Sequence, residues 1–246
     1  MSAWYGLQLY AEYAYADTVD EERLEARFRF CTGGEARDFL NLGSFDETPG
    51  VEPGNGRESN PSKFLLWQDV LIGLYDANIA GIPLENHYRK LAESLEGSVE
   101  RNLHYQSMFE WYRELAQILS QKCTLGLRLK AAYDQNQRSN LEQLKEDLQS
   151  LIPQMDKLRR LHQKLWFEDF KPFGWEVIDM RYGSILVRLQ STVERLEDYL
   201  EGKVMLLPEL EVERLPFDDE WGFSDGTLGR GIYHRIVSPN CLFNPV

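Results

Sequence analysis

The 246-residue sequence has little cysteine: Cys31, Cys123 and Cys241 are widely spaced, and no Cys-x-x-Cys pair occurs. An odd, scattered set supplies neither a disulfide framework nor a zinc knuckle, and it fits a reducing, cytoplasmic setting. Long apolar runs are missing as well, since no stretch reaches the about 18 residues that a transmembrane helix needs. The start, Met1-Ser2-Ala3-Trp4-Tyr5, has no basic patch leading into an apolar core, so no signal peptide is visible. Positive charge is in deficit. Against 40 Asp and Glu stand 27 Lys and Arg, a formal net charge of −13. That field repels phosphate backbones and anionic lipid, so neither nucleic acid nor a membrane is expected as a partner. The one Asn-x-Ser/Thr match, Asn60-Pro61-Ser62, is closed to glycosylation by its proline.

Glycine and proline are nearly absent from the middle of the chain. Residues 98–171 hold only Gly126 and Pro153, whereas 43–61 and 215–246 are rich in both and read as irregular. The middle carries helical spacing instead. Leu141, Leu144, Leu148, Leu151, Met155, Leu158, Leu161 and Leu165 alternate threes and fours. Tyr182, Leu186, Leu189, Val193, Leu196 and Leu200 do the same, as do Met108, Tyr112, Leu115 and Leu119, and Leu84, Tyr88, Leu91 and Leu95. Such spacing keeps apolar side chains on one seam, so each segment has a single stripe to bury. Several stripes on one chain can cover one another, which favours an intramolecular antiparallel bundle over a coiled-coil dimer.

Helix ends are marked too. Asn60-Pro61 opens a helix over 61–77, Pro83 marks a first turn, and Gly202 a C-terminal stop. Leu24, Phe28 and Cys31 line a short helix ending at Gly33-Gly34, and Pro153 should kink or split the helix over 138–169.

Chemistry is sparse. His87, His104, His162 and His234 sit in four different segments without His-Glu-x-x-His spacing, so no metal site is read from them. Cys241 and His234 could pair as nucleophile and base, but nothing in their spacing separates them from a buried thiol and a surface histidine. Gly226-Thr-Leu-Gly229-Arg-Gly231 has the wrong glycine order for a phosphate loop and reads as a turn. Asp20-Glu21, Asp46-Glu47 and Asp218-Asp219-Glu220 are most simply helix-start partners or solvated charge. Two segments stand apart. Trp67, Gln68 and Asp69 lie together inside an otherwise apolar helix, and Asp179, Arg181 and Gly183 interrupt a leucine stripe around Tyr182. Polar groups there imply a buried network that fixes helix order, with Asp69 and Arg181 as candidate members, or else a domain interface.

The same segments carry a family resemblance. Asn60-Pro-Ser-Lys-Phe-Leu-Leu-Trp-Gln-Asp-Val-Leu-Ile-Gly-Leu-Tyr-Asp76 resembles the segment that follows the barrel in a bacterial subgroup of glycoside hydrolase family 20. Asp179-Met-Arg-Tyr-Gly183, Arg188–Leu196, Tyr199–Gly202 and Glu209–Leu215 resemble later parts of that helical domain, and His234–Ser238 its closing segment. Leu7–Tyr15 is similar to the link that leaves the barrel. The resemblance implies an all-α domain over residues 18–246, with 1–17 a linker left over from a preceding catalytic barrel. It implies exo-acting β-N-acetylhexosaminidase activity in that barrel, in the service of carbohydrate metabolism.

The activity itself does not transfer to this chain. The family's catalytic Glu and Asp lie in a His-x-Gly-Gly-Asp-Glu type motif on a (β/α)₈ barrel, and no Asp-Glu here follows such a sequence. The expectation is therefore a non-catalytic domain that supports a barrel on the same polypeptide and could supply a homodimer surface. No catalytic residue, metal or cofactor is assigned to it, and substrate-binding residues stay unassigned. The alternative is a free-standing helical interaction or carbohydrate-binding module.

Overall fold

The computed structural model describes residues 3–56, 58–217 and 228. Among them the chain forms α1 (Trp4–Tyr13), α2 (Glu21–Thr32), α3 (Ala36–Asn41), α4 (Pro61–Trp67), α5 (Asp76–Ile79), α6 (Leu84–Arg101), α7 (Gln106–Lys122), α8 (Leu125–Asp134), α9 (Arg138–Asp169), α10 (Trp175–Leu200) and α11 (Pro208–Glu211). Two 3₁₀ turns, Leu42–Phe45 and Leu103–Tyr105, join them, and no strand occurs among the described residues. The all-α expectation holds.

The long helices stack in the order α6, α7, α9, α10. Rungs between α7 and α9 run Trp111 to His162, Glu114 to Lys157 and Gln121 to Gln154, so one number rises as the other falls. Between α9 and α10 the rungs are Arg159 to Asp179 and Lys145 to Glu197. Both pairs are therefore antiparallel. The leucine stripes form the core: Leu141, Leu144, Leu148, Leu151, Met155 and Leu158 are buried, while Leu161 and Leu165 lie at its edge. On α10 the buried line runs through Tyr182, Ile185, Leu189, Val193 and Leu196, with Leu186 and Leu200 half-buried. Each fully buried leucine contributes about 2 kcal/mol by leaving water.

Helices α1, α2 and α3 cluster across the start of α7. Phe28, Phe39, Tyr105 and Phe109 meet edge to face with ring centroids 5.1–5.3 Å apart. Asp20 caps α2 by accepting from the Arg23 amide, and Gly33 closes it at φ +71°. Cys31 on that helix is exposed rather than part of its buried line.

One expectation needs correction, and of the two outcomes expected at Pro153, kink or split, the split is excluded. The helix opened by Pro61 stops at Trp67 rather than running to residue 77, because Gln68 turns to extended backbone at ψ 139°. The side chains responsible are described below. Pro153 does not split its helix, for α9 runs as one element of 32 residues through it. Its ring is exposed, so water can serve the Gln149 carbonyl that loses its intrahelical donor. Pro153→Ala restores that donor in a backbone already helical, and should stabilise the protein by about 1–2 kcal/mol. A urea midpoint that stays put or falls would show that the proline is accommodated by a local bend.

Candidate functional site

The residues that interrupt the apolar segments gather where α4, α7, α10 and the segment after α11 meet. The backbone leaves α4 at Gln68, and its new course is held by side chains bonding to main chain, the short Asp69 locally and the longer Gln68 across the turn. Asp69 Oδ1 accepts from the amides of Leu71 (2.9 Å) and Ile72 (3.1 Å). Gln68 Oε1 accepts from the Tyr75 amide at 2.9 Å, and its Nε2 donates to Asp76 Oδ1 at 3.3 Å. Gly73 sits at φ +61° in this turn. A Cβ on Gly126 of α8 would come within 2.6 Å of Asp76 Oδ2 and 2.9 Å of the Val70 carbonyl. Glycine there lets α8 close over the turn.

Three cations from other elements complete the cluster. Lys122, fully buried at the end of α7, donates its ammonium to the Leu65 and Gln68 carbonyls at 2.8 and 2.6 Å. Arg188 of α10 pairs through Nε with Asp69 Oδ2 at 2.6 Å. Arg214 donates to the Leu71 carbonyl at 2.7 Å and brings its Nε to 3.5 Å from Asp76 Oδ2. Burial lowers the Lys122 pKa to about 8, opposed by the nearby Asp69 and Asp76. Burial pushes Asp76 up to about 6, with Arg214 and Lys122 pulling the other way. Asp69, Asp76 and Lys122 are buried, while Arg188 reaches the surface. The cluster's chemistry is to lock one turn against three helices.

The other segment lies alongside. Tyr182 is buried and meets Trp67 edge to face at 5.0 Å, and its hydroxyl lies 3.1 Å from His162 Nδ1. Burial lowers His162 to about 4, so its ring is neutral at pH 7, set among Trp111, Trp175 and Tyr182. Asp179 pairs with Arg159 at 3.0 Å near the surface. Arg181 is half-buried and lies near Lys63, whose pKa falls through burial and then through this like charge. The structure thus joins Trp67 to Tyr182 and puts Gln68 and Asp69 to work in one turn, but pairs Asp69 with Arg188 and places Arg181 elsewhere. Lys122, Asp76, Arg188 and Arg214 were not singled out from sequence. For Asp76 the neighbouring Gly73 was the available signal.

Among the open cavities that flank the bundle, two differ sharply in lining. An aromatic cleft of about 150 Å³ is lined by Met108, Trp111, Tyr112, Trp166, Asp169 and Phe170 among others. A polar groove of about 470 Å³ runs between α7, α8 and α9 past Gln121, Arg128, Gln143 and Asp147. Among the described residues no group of three or more His, Cys, Asp or Glu is placed to hold a metal, and no helix is long and apolar enough to cross a membrane. Cys123 is buried, which pushes its thiol up to about 12 and leaves it a packing group. His87 binds the Ser44 carbonyl at 2.7 Å and His104 lies against Gly33. His234, Cys241, Asp218, Asp219, Glu220 and the 226–231 glycine turn, Leu228 apart, lie outside the described residues.

No curated protein matches the chain. A family model does, that of the Glycoside Hydrolase 20C C-terminal domain, over residues 37–228. That span takes in helices α4 to α11 and every member of the polar cluster, and the chain belongs to the glycoside hydrolase 20C C-terminal domain family.

Proposed function

We propose that this chain is the non-catalytic helical domain of a bacterial β-N-acetylhexosaminidase and braces a catalytic (β/α)₈ barrel on the same polypeptide. In this reading residues 18–246 are the domain and 1–17 join it to the barrel. The observation that carries it is the family match across the bundle. The placement of charge supports it: the buried Asp69 and Asp76 of the 68–76 turn face Arg188 and Arg214 of other elements, as a rigid support requires. Trp67, Gln68, Asp69 and Tyr182 serve that rigidity, while Asp179 and Arg181 at its rim are candidates for contact with a neighbouring domain or second copy. Cytoplasmic residence and a part in carbohydrate metabolism belong to the same proposal.

A second reading has one observation in its favour. The cleft beside Trp166 and Phe170 offers aromatic faces and the Asp169 carboxylate, a combination that suits the apolar face and hydroxyls of a sugar ring. One assay separates the two. Cleavage of a glycoside needs an acid held against the leaving oxygen and a group that stabilises charge at the anomeric carbon, both fixed by rigid surroundings. The purified chain should therefore release no product from 4-nitrophenyl N-acetyl-β-glucosaminide. A polypeptide that also carries the barrel should release it, and should lose thermal stability and activity when the helical domain is deleted. Steady turnover by the chain alone would overturn the supporting role. Sugar binding at the cleft, with an enzyme indifferent to the deletion, would favour the binding module.

A further inference from the structure

Helix α1 is built inside out. A surface helix ordinarily buries its apolar stripe and shows its charges to water. Here the half-buried positions are Tyr5, Gln8, Leu9 and Glu12, spaced to lie on one face. Glu12, the one charged residue of the helix, is on that inward face, paired with Arg27 of α2 and accepting from Gln8. Tyr5 packs on Phe28 at 5.9 Å. The outward face carries Trp4, Leu7, Tyr10 and Tyr13, exposed by 42, 67, 78 and 58 %. Gly6 and Ala11 lie between them, so the face is low, apolar and uncharged.

The placement adds weight. Trp4 meets Tyr105 at 6.3 Å, at the turn that starts α7, and Leu103 in the same turn is 73 % exposed. The α9–α10 tip with its exposed Phe170 packs beside Met108 and Trp111, on the first turns of α7. Several large exposed apolar groups therefore share this end of the bundle, a second set around Met205 and Leu215 lying beyond the far end of α10. Contiguous patches of this kind mark interaction surfaces, since water gives nothing for leaving them open.

We propose that the outward face of α1 docks on the exterior of the catalytic barrel carried by the same polypeptide. This rests on the functional reading above. Three features favour that occupant over a second copy. A domain joined ahead of Trp4 enters the chain at the patch itself, so its effective concentration there is on the order of millimolar. A second copy brings another net charge of −13, and the uncharged face offers nothing to offset that repulsion. The outer ring of helices on a (β/α)₈ barrel supplies ridges, and the Gly6 and Ala11 positions let a ridge approach closely.

Hydrogen exchange over residues 3–15 tests this, measured in the chain 1–246 and in the polypeptide that also carries the barrel. Exchange should be at least tenfold slower with the barrel present. The double variant Leu7→Glu, Tyr10→Glu should abolish that slowing yet leave the melting temperature of the chain alone unchanged, since both side chains point to water there. Equal exchange in the two proteins overturns the docking face. So does full protection in the chain alone, whether it is lost on truncation after residue 217 or with a dimer that the double variant dissociates. Deleting the whole domain and assaying activity keeps the two proposals apart. Loss of activity without protection of α1 removes the face and leaves the support role. Protection without loss removes the support role and leaves the face.

Discussion

Asp69→Ala should cost about 3–5 kcal/mol, the range for breaking a buried ion pair by removing one partner. Its carboxylate has three obligations. Oδ1 holds the Leu71 and Ile72 amides, and Oδ2 holds Arg188 at 2.6 Å. Alanine leaves one buried and one half-buried N–H without their acceptor and a guanidinium without its counter-charge. Arg188→Ala should cost less, because that side chain is 30 % exposed and its removal leaves both amide bonds intact. The double variant should then lose less than the sum by about 1–2 kcal/mol, the signature of groups in direct contact. Asp69→Ala combined with Arg181→Ala should instead add to within about 0.5 kcal/mol. Urea unfolding of the wild type and the five variants decides it, with Asp69→Asn as the milder variant should alanine prevent folding, since its amide oxygen still serves the two backbone donors. Additivity with Arg188, or coupling with Arg181, would mean that the pairing described here is wrong.

The contrast between the two arginines shows where sequence reasoning runs out. Leu148 could be read as core because its neighbours at three- and four-residue steps are all apolar, and the helix geometry that follows is local. Arg181 and Arg188 stand seven residues apart on one helix, so two turns of α10 carry them on nearly the same face. Nothing local tells which one meets Asp69. That choice is made by where α4 ends, and α4 ends at Gln68 through side-chain bonds to main chain that an apolar pattern does not reveal. Lys122 escapes notice for a similar reason. A lysine in the last turn of a helix reads as a solvated partner of the helix dipole, yet here it is buried against the carbonyls of another segment. In the 1–17 segment the helix and the outward turn of its apolar face depend on Glu12 finding Arg27, a contact fixed by how α1 crosses α2.

The stability of the protein should fall by about 3 kcal/mol between pH 4 and pH 7 on account of Asp76 alone, read as the wild type against Asp76→Asn. Burial raises its carboxyl from an ordinary value of 3.8 to about 6 in the folded state. Between those two values the native protein keeps a proton that the unfolded chain has released. Stability therefore declines as pH rises through the window, and the full penalty is present above it. A shift of about two pKa units corresponds to about 3 kcal/mol. Every other carboxylate titrates alike in the two proteins, so the difference between their unfolding free energies isolates this one group. Two forces contend for its sign. Arg214, with Nε at 3.5 Å, favours the carboxylate, but that distance exceeds a hydrogen bond, and the Gln68 amide at 3.3 Å is a weak donor. Desolvation in a site closed by α8 acts on the whole charge and prevails. Chemical denaturation of both proteins at half-unit steps of pH measures the difference. It should shrink as pH rises, the wild type losing ground to the amide. A difference that widens instead would put the Asp76 pKa below 3.8 and give the decisive role to Arg214.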